Sequence, residues 1–98
     1  MQLILVDSVH TYPTGPRGWK RWCHMATDDP SPAGLEELTI FAKGLDMRPE
    51  WIHRRPRLPH FDLTPELRET ALALGAIAVS SRELVRRCRL QSMAESAG

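Results

Sequence analysis

Cysteine is scarce: only Cys23 and Cys88 occur in 98 residues, and they form no Cys-x-x-Cys pair. That excludes a disulfide scaffold and argues against a structural zinc knuckle. A surplus of one charge sign is also lacking. Thirteen Lys and Arg balance twelve Asp and Glu to a formal net +1, so no global field draws the chain to nucleic acid or to a membrane surface. No apolar run approaches the roughly 18–20 residues of a membrane span. Gln2-Leu3-Ile4-Leu5-Val6 is too short for a signal peptide and has no basic leader. These absences lead to the expectation of a cytoplasmic protein with reduced thiols and no membrane partner.

What is present is the apolar and charged content of an ordinary globular chain, 42% and 26%, enough for one core but not two. We expect a single α/β domain over residues 1–90 and a frayed tail over 91–98. Leu3-Ile4-Leu5-Val6 reads as a strand buried on both faces. Residues 8–34 carry four prolines and three glycines and read as a long loop, within which residues 19–25 form either a short helical turn or an extra strand. A helix over 33–46 is signalled by Ser31 as N-cap and Pro32 in the first turn. Glu50-Trp51-Ile52-His53 reads as a second strand, Thr64-Pro65-Glu66 as a helix start, Gly75 as its stop, and Ala76-Ile77-Ala78-Val79 as a third strand. Ser80 or Ser81 then caps a last helix. Strands alternating with helices predict a small three-layer α/β domain: a short, mainly parallel sheet of about three strands with helices packed on it.

In open parallel sheets, ligands bind outside the carboxyl ends of the strands. Asp7, His24 and Asp28, then His53, His60 and Asp62, then Ser80, Ser81 and Arg82 all fall at that expected edge, on loops. His24, Asp28, His60 and Asp62 are the mixed nitrogen and oxygen donors that a divalent metal accepts. Without a metal, a histidine oriented by a carboxylate can act as a general base. The plainer alternative is that these histidines only pin the long loop. Asp7 would form the floor of the site, while Ser81 and Arg82 would hold an anion. Trp51, Trp22 and Met25 read as core, and His10 and Cys23 carry no separate signal. Cys23 and His24, adjacent on an extended chain, point to opposite sides.

Two functions follow. One is a site binding a phosphate-containing ligand and hydrolysing a phosphoester with the help of a metal or of histidine. The other is a non-enzymatic accessory protein that binds nucleic acid or a host protein through Arg54, Arg55, Arg57, Arg86 and Arg89.

Cys23-His24-Met25 with Asp28, Glu37-Leu38 with Phe41-Ala42, Trp51, His60-Phe61-Asp62, Gly75-Ala76 and Ser81-Arg82-Glu83-Leu84 form an ordered set. From Leu3 to about Arg87 the set resembles a small uncharacterised family of bacteria and their phages, a domain-of-unknown-function family of the four-zero-three-one type. The resemblance implies a short, free-standing protein with no assigned activity. The family pattern carries tyrosine where this chain has Phe61, a departure that argues against a proton relay there, and glutamine near His53. The segment from Arg54 to Pro59 is longer than the family's.

Overall fold

Residues 21–27 and 60–63 place a polar or aromatic side chain between successive apolar ones, the period of two that a half-buried strand requires. The computed structural model describes residues 3–11, 20–29, 31–53 and 59–87. It contains β1 (Ile4–Val6), β2 (His10–Thr11), β3 (Arg21–Thr27), α1 (Pro32–Gly44), a 3-10 turn (Pro49–Trp51), β4 (His60–Leu63), α2 (Pro65–Ala73) and β5 (Ile77–Ala78). A third helix, α3, covers 81–87.

β3 is the axis of the sheet. It pairs antiparallel with β1 (Val6 opposite Met25), with β2 (His10 opposite Trp22) and with β4 (His24 opposite Asp62, Met25 opposite Phe61). Only β5 runs parallel to its neighbour, β1. The α/β class therefore holds, but the sheet has five strands and is mixed and mostly antiparallel, not mainly parallel with three. The error has one source. The expected loop over 8–34 contains β2 and β3, and a strand returning beside β1 needs no crossover helix. Glu50–His53 is not a full strand either. Its first residues form the 3-10 turn, and only His53 bridges to His60, with backbone N–H···O distances of 2.8 and 2.9 Å in the two directions.

The helix boundaries follow their caps. Ser31 Oγ accepts from Gly34 N at 3.3 Å and Thr64 Oγ1 accepts from Leu67 N at 3.2 Å. Gly75 leaves α2 at φ +111°. Ser80 Oγ accepts from Glu83 N at 3.0 Å, so Ser80 is the cap of α3 and Ser81 is free for other work.

Alternation divides the sheet into two faces. Val6, Cys23, Met25, Phe61 and Leu63 pack against Leu38 and Ala42 of α1 and Ala71 of α2, with Trp51 at the margin. Leu5 and Ala26 point the other way and meet Leu84 of α3. Burying each of the larger side chains contributes about 1.5–3 kcal/mol before entropy is counted. Among the described residues α3 covers only part of its face, and the rest of that face carries polar residues.

α1 meets the preceding turn at Gly34, where a Cβ would strike the Asp29 carbonyl oxygen, whereas a Cβ on Gly44 has no neighbour within 4 Å. Gly34→Ala should cost about 1–3 kcal/mol, while Gly44→Ala should be neutral or stabilise by up to about 1 kcal/mol. Urea unfolding of the two variants checks this contrast.

Candidate functional site

The face that α3 leaves uncovered collects every histidine in the chain. His24 extends from the centre of β3, and Asp62 lies opposite it on β4. His60, two residues from Asp62, shares that face. His10 pairs opposite Trp22 on β2, and the bridge to His60 brings in His53. Asp7 continues past β1, its backbone N donating to His24 O at 3.1 Å. The His24 and His60 ring centroids are 5.1 Å apart, His53 stacks on His60 at 5.2 Å, and Trp22 meets His24 edge-on at 4.9 Å.

Asp7 is 1% exposed, and each of its carboxylate oxygens is engaged. Oδ1 accepts from the His24 backbone N at 2.6 Å. Oδ2 accepts from His24 Nδ1 at 2.9 Å and from Ser81 Oγ at 2.9 Å. With its hydroxyl proton given to Asp7, Ser81 Oγ accepts from His10 Nε2 at 2.8 Å. Arg68 Nε donates to the Asp7 carbonyl oxygen at 2.8 Å. Burial pushes the Asp7 carboxyl up, but the hydrogen bonds from His24 and Ser81 and the His24 charge outweigh it and hold the group below its ordinary value. The same hydrogen bond, working against burial, raises His24. A carboxylate only accepts, so the His24 proton sits on Nδ1. Neutral His24 then presents a lone pair at Nε2.

Asp62, 9% exposed, is arranged the other way round. His53 Nε2 lies 2.8 Å from its Oδ2, while His60 Nε2 is 3.6 Å from its Oδ1. That Oδ1 is buried and has no hydrogen-bond partner. Two sets of donor atoms lie within 4.8 Å of one another, Asp7–His10–His24 and His24–His60–Asp62, with His24 common to both.

The family described as "Protein of unknown function (DUF4031)" matches residues 4–91. The chain belongs to that family. No curated protein and no solved structure gives a match. The DUF4031 match spans every group of the site, from Asp7 to Ser81.

Of the residues expected to act together, His24, His60 and Asp62 converge, with Asp7 and Ser81 beside them. They sit on one face of the sheet and not at a carboxyl edge, because a mostly antiparallel sheet has no such edge. His24, His60 and Asp62 are also on strands, not loops. Asp28 stands apart. Its Oδ1 accepts from Leu3 N at 2.8 Å and its backbone N donates to Leu3 O at 3.2 Å, closing the far end of the β1–β3 pair. Arg82 is exposed. Arg86 is held by Glu83 at 2.7 and 2.9 Å, and together with Arg87 it draws the Glu83 carboxyl down to about 2. Arg54, Arg55, Arg57, Arg89 and the tail from 91 lie outside the described residues. Cys23 points into the core, and burial, with the nearby Asp7 charge, pushes its thiol up to about 12, which removes it as a nucleophile.

His10 and Arg68 join the cluster without having been foreseen, and His53, expected near the site but given no role, joins it as the partner of Asp62. The alternation in His60-Phe61-Asp62-Leu63 was the available signal for a strand facing polar partners, whereas nothing local marks His53 or Arg68. Among the described residues no helix is long and apolar enough to cross a membrane.

The metal-free protein should show stability that falls on both sides of mildly acidic pH. The contribution of His24, whose value is raised on folding, is complete below the unfolded value of about 6.5 and is lost as pH rises through the folded one. The contribution of Asp7, whose value is lowered, is present above about 3.9 and is lost as pH falls through the folded one. Urea melts across this range should lose the alkaline limb in His24→Asn. Asp7→Ala should cost about 3–5 kcal/mol at the optimum, since it strips a buried charge partner.

Proposed function

We propose that this face binds a phosphate-containing ligand and hydrolyses a phosphoester. The observation that carries the reading is the convergence of His24, His60 and the unpartnered Oδ1 of Asp62 on the part of the sheet that α3 does not cover. Imidazole and carboxylate are the groups that activate water near neutral pH. Four imidazoles, the Ser81 hydroxyl and the Arg68 guanidinium surround only two carboxylates, which favours an anionic ligand. Arg82, exposed one residue beyond Ser81, would supply a guanidinium to the outer oxygens of a phosphoryl group.

On this reading the histidine–aspartate set carries the function, and Arg86 of α3 does not. Among the described residues the one cation of the arginine alternative, Arg86, is committed to Glu83.

A panel of nucleotides and of p-nitrophenyl mono- and diesters, with manganese or zinc and without, tests this by thermal unfolding and by release of p-nitrophenol. A ligand at a hundred times its Kd should add roughly 2.7 kcal/mol. His60→Ala should abolish that shift and lower any turnover by about 10²-fold or more, while Asp28→Ala should retain both. A panel in which no phosphate-bearing compound moves the unfolding temperature sinks the reading.

A further inference from the structure

We propose that His24, His60 and Asp62 form a site for one divalent transition-metal ion, with Asp7 and His53 as positioning residues. The ion would supply the water-activating group of the hydrolytic reading above, on which only its catalytic role rests.

The case begins with the atoms left over once hydrogen bonds are assigned. His24 gives Nδ1 to Asp7 and keeps Nε2. This is the arrangement in which a carboxylate fixes the tautomer and ring orientation of a metal-binding imidazole. Asp62 gives Oδ2 to His53 and keeps Oδ1, which is buried and has no hydrogen bond. A buried carboxylate oxygen without a donor costs about 1–3 kcal/mol or more, and a cation is the partner that removes the cost. His60 supplies the third donor, and one donor atom from each of His24, His60 and Asp62 lies within 4.8 Å of the other two. Side-chain shifts of under about 1 Å would bring them to the spacing of ligands placed roughly 2.0–2.2 Å from a common ion.

The donor set also selects the ion. Two imidazoles and one carboxylate suit zinc, manganese, iron(II) or cobalt better than magnesium or calcium, which prefer all-oxygen sites. Three protein ligands leave a coordination position for water, as in catalytic and not structural sites. The neighbouring Asp7–His10–His24 set is the weaker candidate. Both Asp7 oxygens already accept hydrogen bonds, and an ion there would have to displace the His24 proton from Nδ1 and the Ser81 hydroxyl.

The test is a titration of the chelator-stripped full chain with cobalt(II), followed by its visible ligand-field band and by calorimetry, with zinc as competitor. One ion should bind per chain, and binding should be lost in His60→Ala and Asp62→Asn. It should persist in His10→Ala and Asp28→Ala. His53, 52% exposed, should matter for affinity and not for folding. His53→Gln should weaken the ion about 10–100-fold while leaving the unfolding temperature of the metal-free protein unchanged. The proposal is overturned if cobalt does not bind, if Asp62→Asn and His60→Ala bind it unchanged, or if His10→Ala alone abolishes binding. Metal binding without turnover of any phosphoester would leave this site standing and remove the hydrolytic reading. Turnover by stripped protein that binds no cobalt would do the reverse.

Discussion

A carboxylate that is 1% exposed carries a large desolvation penalty unless donors surround it, and Asp7 meets that condition with partners from three separate parts of the chain. His24 of β3 gives it a backbone and a ring N–H, and Ser81 gives it the first hydroxyl of α3. Arg68 of α2 holds its carbonyl. Each partner is fixed in turn. The His24 ring has one allowed tautomer, α3 is drawn over Leu5 and Ala26, and β1 is held in register with β3. Because the anion accepts and never donates, the directions of all these bonds follow from its charge. A neutral isostere could not impose the same directions. The geometry of His24 and, through Ser81, of His10 therefore depends on a residue that is almost wholly buried.

The second constraint is the sheet's division of labour. One face of β3 and β4 is apolar and carries the core with α1 and α2; the other carries Trp22, His24, His60 and Asp62. An antiparallel sheet tolerates such a mixed character because its two faces are independent. Among the described residues α3 covers only part of the second face, where Leu84 meets Leu5 and Ala26. A polar array kept half open beside a small core gives up apolar burial that the same positions could have supplied. Function is the ordinary reason for a sequence to break the rule that its sheet faces be covered.

Elements defined by local chemistry were legible. Ser31, Thr64 and Gly75 act through their own side chains or φ angles within one turn, so α1 and α2 could be placed from their caps alone. Strand pairing is non-local and was misread. The apolar residues on both sides of the alternation in Trp22-Cys23-His24-Met25-Ala26 disguised the period of two, and prolines and glycines on either side made the stretch look like loop. With residues 19–25 undecided between a helical turn and a strand, and no pairing assigned to them, β1 and β5 seemed to need a parallel sheet, and the site was placed at a carboxyl edge that does not exist. The residues survived that error better than the location did. His60 and Asp62 share a face in any strand, and the register that sets His24 opposite Asp62 adds His24 to it. Asp28 did not survive, because its role is to close a strand end, and a carboxylate four residues after a histidine reads the same either way in the sequence.

The plainer interpretation of the histidines, that they hold a chain segment in place, makes a demand that the structure lets one examine. Pinning is complete when each buried polar atom has a partner, since an unmet acceptor weakens the structure it is meant to hold. At Asp7 that demand is met: both oxygens are engaged and the linkage is structural. At Asp62 it is met on one side only. His53 occupies Oδ2, and Oδ1 faces the two remaining imidazoles without a hydrogen bond. The two aspartates thus divide the roles, one orienting an imidazole through its carboxylate and the other being oriented by an imidazole. Between them stand the His24 lone pair, a carboxylate oxygen without a hydrogen bond and the His60 ring, all carried on paired strands and not on loops. Strands hold donor atoms with less freedom than loops do, so the unmatched oxygen cannot simply turn away to find water. A fold that needed only a pin had no reason to keep it there.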